Sequence, residues 1–213
     1  MKKLIALLMA LTMVAMMAAC STGNNPETPA TDATNATDAT DATDATETTG
    51  EVAGSTVSSA LEVLETIWNA YGDDEKFAVI GGNIENPVDG APGNYDLAYA
   101  ENLTYNLLIP AELIANVDDA ASMIHMMNAN NFTSGVVHLT EGTDVAAFTE
   151  AMHTAISTNP WMCGFPEKMI IAVIDGSYVL ISFGVNDAMN PFETHLNEVY
   201  ANAEIIYNEA LAG

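Results

Sequence analysis

Six consecutive triplets at residues 30–47 limit what this chain can fold into. They are Ala-Thr-Asp, Ala-Thr-Asn, three more copies of Ala-Thr-Asp, and Ala-Thr-Glu. No apolar periodicity occurs anywhere between residues 21 and 56, and such a segment buries too little apolar surface to offset the entropy lost on ordering. We therefore predict a disordered, low-complexity tether at residues 20–56 and one globular domain at residues 57–213.

An apolar run at residues 4–19 precedes the tether and follows two lysines. This arrangement is typical of a secretory signal peptide, and the run is shorter than the about 20 apolar residues that a membrane span needs. It ends in the tetrapeptide Met17, Ala18, Ala19 and Cys20. This tetrapeptide resembles the lipobox of bacterial lipoproteins. The resemblance implies a diacylglyceryl group on the Cys20 thiol, which carries fatty-acyl chains such as palmitate, and cleavage before Cys20.

An anchor of this kind places the chain outside the cytoplasm. Buried acyl chains contribute about 0.8 kcal/mol per CH₂, so two long chains hold a protein firmly on a membrane. We therefore expect a lipid on Cys20 to fix the protein to the extracytoplasmic face of the cell membrane. The alternative is an ordinary secretory signal in which Cys20 is incidental.

The charge of the chain excludes one class of partner. There are 29 acidic residues against four basic ones, and no arginine is present. Loss of the signal peptide would leave only Lys76 and Lys168 as cations, a formal charge of −27. Such a protein repels phosphate backbones, which argues against nucleic-acid binding, and attracts cations and basic peptides. The alternative is that the acidity only keeps a surface protein soluble.

Cysteine chemistry is limited by number, because Cys163 is the only cysteine besides Cys20. With Cys20 lipidated, an intrachain disulfide is excluded, and no Cys-x-x-Cys pair exists. A nucleophilic thiol needs a lowered pKa, which a nearby cation or a helix N-terminus supplies. In an acidic chain we expect Cys163 to be a buried, inert thiol between Trp161 and Phe165.

Helical periodicity appears in three parts of the domain. Ser59 and Glu62 have the spacing of a capping box, and the helix that they open should end at Gly72. A second helix should be capped by Thr143. A third should begin at Asn190, followed by proline in its first turn.

Strand patterns and turn signals alternate with these helices. We predict strands at residues 122–128 and 135–140, a hairpin around Asp175, Gly176 and Ser177, and a final edge strand at residues 203–207. Residues 83–96 are predicted to form a long loop. Together these elements predict an α+β domain in which a largely antiparallel sheet of hairpins packs against helices.

The first hairpin carries two histidines. If it folds symmetrically, paired residue numbers sum to 263, so that His125 lies opposite His138 with Cβ atoms about 5 Å apart. Two such imidazoles together with a carboxylate can hold Zn²⁺ or Cu²⁺. The alternative is a half-buried polar pair without metal, and no cofactor is predicted. His153 and His195 are expected to be isolated residues at the surface or at the edge of the core.

Two stretches carry a resemblance to a known family, and they are residues 118–130 (DDAASMIHMMNAN) and 161–166 (WMCGFP). They resemble clostridial surface lipoproteins of unknown function, some of which are labelled bacteriocin transport accessory proteins. The likeness covers most of residues 60–207 and implies a Gram-positive cell surface and a fold. Proteins that properly bear that label resemble thioredoxins and contain a Cys-x-x-Cys motif, which is missing here.

The expected function follows from the anchor, the charge and the lack of a recognisable catalytic set. We expect a non-catalytic binding or accessory domain for a peptide, a cation or an envelope protein. An exposed apolar patch or groove ringed by carboxylates would favour this hypothesis. The alternatives are a thiol- or metal-dependent enzyme that uses Cys163 or the pair His125 and His138, and a purely structural component of the cell wall.

Overall fold

The computed structural model describes residues 57–127, 131–162 and 164–211. The predicted signal peptide, lipobox and tether, with Cys20, lie outside these residues, and so does Cys163. No helix within the described residues is long and apolar enough to cross a membrane.

An antiparallel sheet of eight strands forms the centre of the described domain. Its order is β2-β1-β4-β5-β7-β6-β8, and β3 pairs with β4 beside this path. The prediction of an α+β domain with a largely antiparallel sheet is confirmed. The strands are β1 (Val79–Gly81), β2 (Val88–Asp89), β3 (Gly93–Asn94), β4 (Val117–His125), β5 (Phe132–Leu139), β6 (Lys168–Ile174), β7 (Tyr178–Gly184) and β8 (Glu204–Ala210).

Helices cover both faces of the sheet, because the central strands bury side chains on both sides. One core cluster joins α1 and α4 to one face, and a second joins α2 and α3 to the other. Strand β7 is buried at every position, as expected for a strand that is covered twice. The helices are α1 (Ala60–Ala70), α2 (Asn102–Asn106), α3 (Val145–Ser157) and α4 (Asn186–Val199).

The N-terminus of α1 is held by carboxylates as well as by its predicted cap. The Ser59 hydroxyl accepts a hydrogen bond from the Glu62 amide at 3.1 Å, which confirms the Ser59 cap. The Glu62 carboxylate accepts instead from the amide of Ser58, one residue before the cap. Asp119 on β4 accepts from the Ala60 amide at 2.7 Å, so that this helix end is tied directly to the sheet.

The first hairpin forms, but its predicted register is wrong by six residues. Ala121 pairs with Val136 and Ile124 with Thr133, so paired numbers sum to 257. His138 therefore lies opposite Asp119, whereas His125 pairs with Val79 on β1. Six residues along a strand correspond to roughly 20 Å, which separates the two imidazoles. Because the shift is an even number of residues, the predicted face of each side chain is unchanged.

Helix α4 begins at Asn186, four residues before the predicted start at Asn190. Pro191 consequently lies inside the helix, where a proline costs about 3 kcal/mol because it removes a hydrogen bond and crowds the preceding turn. Met189 is completely buried in that earlier turn, and burial of such a side chain contributes about 1.5–3 kcal/mol. The two effects are of similar size, and the extra turn also buries Ala188.

The remaining predictions concern the second hairpin, the cap of α3, the loop at residues 83–96 and the last strand. The hairpin around Asp175 and Gly176 is confirmed, with both residues at positive φ. The cap of α3 is Asp144 rather than Thr143, since the Asp144 carboxylate accepts from the Ala147 amide. The predicted loop at residues 83–96 contains the two-residue strands β2 and β3, and the last strand is β8, at one edge of the sheet.

The close approach of β1 to β3 generates a stability prediction. A Cβ atom at Gly81 would overlap the backbone of Pro92 and Gly93, and backbone cannot rotate away. We expect Gly81→Ala to lower the free energy of unfolding by about 3 kcal/mol, the upper part of the usual range for overpacking. Urea denaturation measures this change.

The matched control is Gly72→Ala, where a Cβ atom would meet only carboxylate side chains, the nearest being Asp74 Oδ1 at 3.1 Å. Equal stability of the Gly81→Ala variant and the wild type would contradict the close approach of β1 to β3.

Candidate functional site

The long strands of the sheet give the domain two distinct ends. At one end, the β6–β7 turn lies beside the first described residue, because the Asp175 carboxylate accepts from the Val57 amide at 2.6 Å. At the other end, Gly184 pairs with Phe132 on β5 and with Lys168 on β6. Strand β7 has seven residues and so separates the Asp175 end from the Gly184 end by roughly 20 Å.

Four exposed apolar side chains lie in two loops at the Gly184 end. We call them the apical patch; they are Met126, Met127, Met162 and Phe165. Each is more than half exposed, and Met162 reaches 89%. The Asn131 side chain donates to the Gly164 carbonyl at 3.1 Å and so brings the two loops side by side. Exposed apolar side chains that lie in neighbouring loops can form an interaction site, and methionine adapts to partners of different shape.

A small groove of about 130 Å³ lies between His125, the residue before Met126, and the first turn of α4. It is lined by Phe77, His125, Val185, Asp187 and Ala188. Phe77 and His125 stack nearly parallel, with ring centroids 4.9 Å apart. The groove therefore has an apolar floor and a carboxylate, that of Asp187, at its rim.

His125 is held in its neutral form by this environment. Its Nδ1 atom accepts a hydrogen bond from the Met127 amide at 2.9 Å, so Nε2 carries the proton. Burial lowers the pKa of His125 below its ordinary value. Among the described residues, no carboxylate forms an ion pair with this ring.

The other three histidines each contact carboxylates, and none of these pairs was predicted. His138 Nδ1 lies 2.5 Å from Asp118, and His153 Nε2 lies 2.7 Å from Glu209. His195 is buried between Glu198 at 2.9 Å and Glu75 at 3.5 Å. The expectation that His153 and His195 are isolated is therefore wrong. A helical spacing of three residues to Glu198 was the one available signal for His195.

A metal ion in a protein is held by several ligand side chains that converge on one point. Among the described residues, no three side chains of the types His, Cys, Asp or Glu converge in a way that could hold a metal ion. The pair His125 and His138 is not brought together, as the register of the hairpin dictates. Cys163 lies outside the described residues. Of its predicted aromatic neighbours, Trp161 packs against Phe183, with ring centroids 5.4 Å apart, whereas Phe165 is exposed.

The two lysines of the domain both contact other side chains, and their positive charge offsets little of the acidic charge. Lys168 donates to the Glu193 carboxylate and to the Asn190 side chain. The Lys76 ammonium lies 5.6 Å from the centroid of the Trp68 ring. Residues 57–213 contain 22 acidic residues and these two lysines, a formal charge of −20.

Two wider grooves flank α3 on the face opposite α4. One, of about 450 Å³, is bordered by Glu112 and Glu150. The other, of about 270 Å³, lies between the start of α3 and strand β8 and is bordered by Glu204. Its floor includes Val145, Val173 and Ile206.

No protein-family model, curated protein or solved structure matches this chain. Function is accordingly inferred from the residues and contacts of the chain itself.

The burial of His125 generates a prediction about its titration. Because its pKa is lowered in the folded state, the unfolded chain binds this proton more readily, and the contribution of His125 to folding stability falls as pH drops below about 6.5. Phe77→Leu removes the stacked ring, so we expect the pKa of His125 to rise towards its ordinary value. NMR titration of the imidazole signals measures it.

The matched control is Tyr105→Leu, which removes an exposed aromatic ring that belongs to neither core cluster. An unchanged His125 titration in the Phe77→Leu variant would show that the stacked ring does not set the pKa.

Proposed function

We propose that this chain is a lipid-anchored extracytoplasmic lipoprotein whose domain binds a basic polypeptide partner without catalysis. The observation that carries the binding function is the apical patch, which gathers four exposed apolar side chains at the Gly184 end of the sheet. The lipobox at residues 17–20 and the resemblance to clostridial surface lipoproteins support the anchor and a Gram-positive cell surface.

The position of the patch suits an anchored receptor. The chain enters the described domain at Val57, beside Asp175, at the opposite end of the sheet. The apical patch and Val57, the first described residue, therefore lie at opposite ends of the sheet. Loops on a rigid sheet also suit binding, since the scaffold holds the contact residues in place.

The charge identifies the chemical class of the partner. Asp187 borders the groove beside the patch, and Glu167 follows Phe165 by two residues. With a domain charge of −20 and both lysines engaged, a basic partner is attracted and an acidic one repelled. A basic polypeptide is attracted by the negative charge of the domain, and its apolar side chains can pack against the apical patch.

The anchor is tested by replacing the cysteine of the lipobox. We expect Cys20→Ala to move the protein from the membrane fraction to the soluble fraction and to abolish labelling with a palmitate analogue. Cys163→Ser is the matched control and should keep both the label and the membrane location. Equal labelling of the wild type and the Cys20→Ala variant would refute lipidation at this residue.

Binding is tested with the mature chain in detergent and two synthetic peptides of eight residues. One alternates Lys with Ile or Val, and the other has Glu in place of each Lys. We expect the basic peptide to bind at least about tenfold more tightly, and its binding to weaken about tenfold between low and high salt, because exposed charges are screened.

The contribution of the patch is measured with the double variant Met126→Ser and Phe165→Ser, which should weaken binding of the basic peptide. Tyr105→Ser removes an aromatic side chain that is more exposed than Met126 or Phe165 but is not part of the patch, and it should leave binding unchanged. If neither peptide binds, or if both bind equally at every salt concentration, the proposed function is wrong.

A further inference from the structure

The two edges of the sheet differ in how well they are protected. One edge is β2, which has two residues and offers little backbone for pairing. The other is β8, which has seven residues, of which all but Tyr207 are exposed. Natural proteins limit pairing at such an edge with charged side chains, above all lysine, with proline, with bulges or with a covering segment. Strand β8 has two glutamates and one bulge but no lysine and no proline, so an acidic strand is repelled from it whereas a basic one is not.

The backbone of β8 presents unpaired groups to one side. The Leu211 amide, just beyond β8, donates to the Glu167 carbonyl at the start of β6. Because amide directions alternate along a strand, Tyr207 and Glu209 point towards β6, whereas Asn208 and Ala210 point away from it. Among the described residues, no strand pairs with this side of β8, so the N–H and C=O groups of Asn208 and Ala210 are available to another strand.

The bulge in β8 directs an apolar side chain to the groove beside α3. The register with β6 shifts between Ile171 and Ala172, which leaves Ile206 without a counterpart. Ile206 lines the groove of about 270 Å³ together with Val145 and Val173. A strand that extends the sheet beyond β8 would project alternate side chains over this groove. The edge thus offers backbone pairing and a side-chain pocket in one place.

Carboxylates occur along both faces of β8. Glu204 borders the groove, Glu209 lies on the same face beside His153, and Glu193 contacts Asn208 on the face of α4. A second copy of the chain would bring another domain of charge −20 against this edge. An occupant with alternating cationic and apolar side chains matches both the carboxylates and the groove.

We infer that β8 binds an extended basic segment of the partner by strand addition, as a ninth strand of the sheet. This inference rests on the proposed function and names the mode of binding. The C-terminal end of β8 leads towards the apical patch, since Leu211 is bonded to Glu167, two residues after Phe165. A strand added to β8 can therefore continue into the patch.

The test separates the backbone of Asn208 from its side chain. Asn208→Pro removes the outward N–H, at a position where an edge strand tolerates proline. Asn208→Ala removes the side-chain bond to Glu193 but keeps the N–H, and so is the matched control. The probe is the basic Lys-Ile/Val peptide, added to the full mature chain, and the readouts are its affinity and the hydrogen exchange of the β8 amides.

We expect Asn208→Pro to weaken binding of the peptide at least about tenfold, because it removes a paired backbone group and places a ring at the edge. Asn208→Ala should bind as the wild type does. In the wild type, the amides of Asn208 and Ala210 should become protected from exchange when the peptide is present. Circular dichroism of both variants verifies that the sheet is retained.

Three outcomes would overturn the inference. The first is equal affinity of the proline and alanine variants for the basic peptide, which leaves the proposed function standing but removes β8 as the site. The second is binding without protection of Asn208 and Ala210. The third is self-association of the chain that Asn208→Pro abolishes, which would assign the edge to a second copy. Absence of any binding to the wild type would remove the proposed function together with the inference.

Discussion

The pairing of β5 with β4 on one side and β7 on the other determines where every candidate site lies. The pairing with β7 is secured inside the core, where the hydroxyls of Ser134 and Ser182 lie 2.7 Å apart and both residues are fully buried. Each of these hydroxyls is the hydrogen-bond partner of the other. A shifted register would leave both buried without a partner, which costs free energy. On the opposite face of the sheet, the side chain of Leu107 packs directly over the neighbouring Gly135.

This register has consequences at both ends of the sheet. It places the loop that carries Met126 and Met127 at the Gly184 end, next to the loop of Met162 and Phe165. It also carries His138 to the level of Asp119, near the N-terminus of α1. The same pairing therefore brings the two loops of the apical patch together and keeps His125 and His138 apart.

The acidic residues serve two separate purposes in the described domain. Some stabilise local structure, such as Asp119 and Asp144, whose carboxylates accept from amides at the N-termini of α1 and α3. Others, such as Glu204 and Glu150, border grooves and contribute to the field around the molecule. Composition shows only the total charge, whereas the division between the two roles depends on which carboxylates face a helix end.

Local signals predicted the elements that depend on near neighbours. The Ser59 cap and the turn at Asp175 and Gly176 both follow from residues a few positions apart. The start of α4 was missed because the burial of Met189 against distant strands outweighs the local preference for proline at a first turn. The contacts of His153 with Glu209 and of His195 with Glu75 join parts of the chain too far apart for any spacing rule.

The sequence by itself determined the fold class, the charge and the shared face of His125 and His138, because these follow from composition and from short periodicities. The lipid anchor stays a prediction of the sequence. Only the tertiary structure decided the hairpin register, the position of four exposed apolar side chains at one end of the sheet and the exposed edge at β8. The physical reason is that alternation specifies a face but not a partner. Which residues lie opposite one another is selected by the packing of the whole core, to which residues far apart in the chain contribute together.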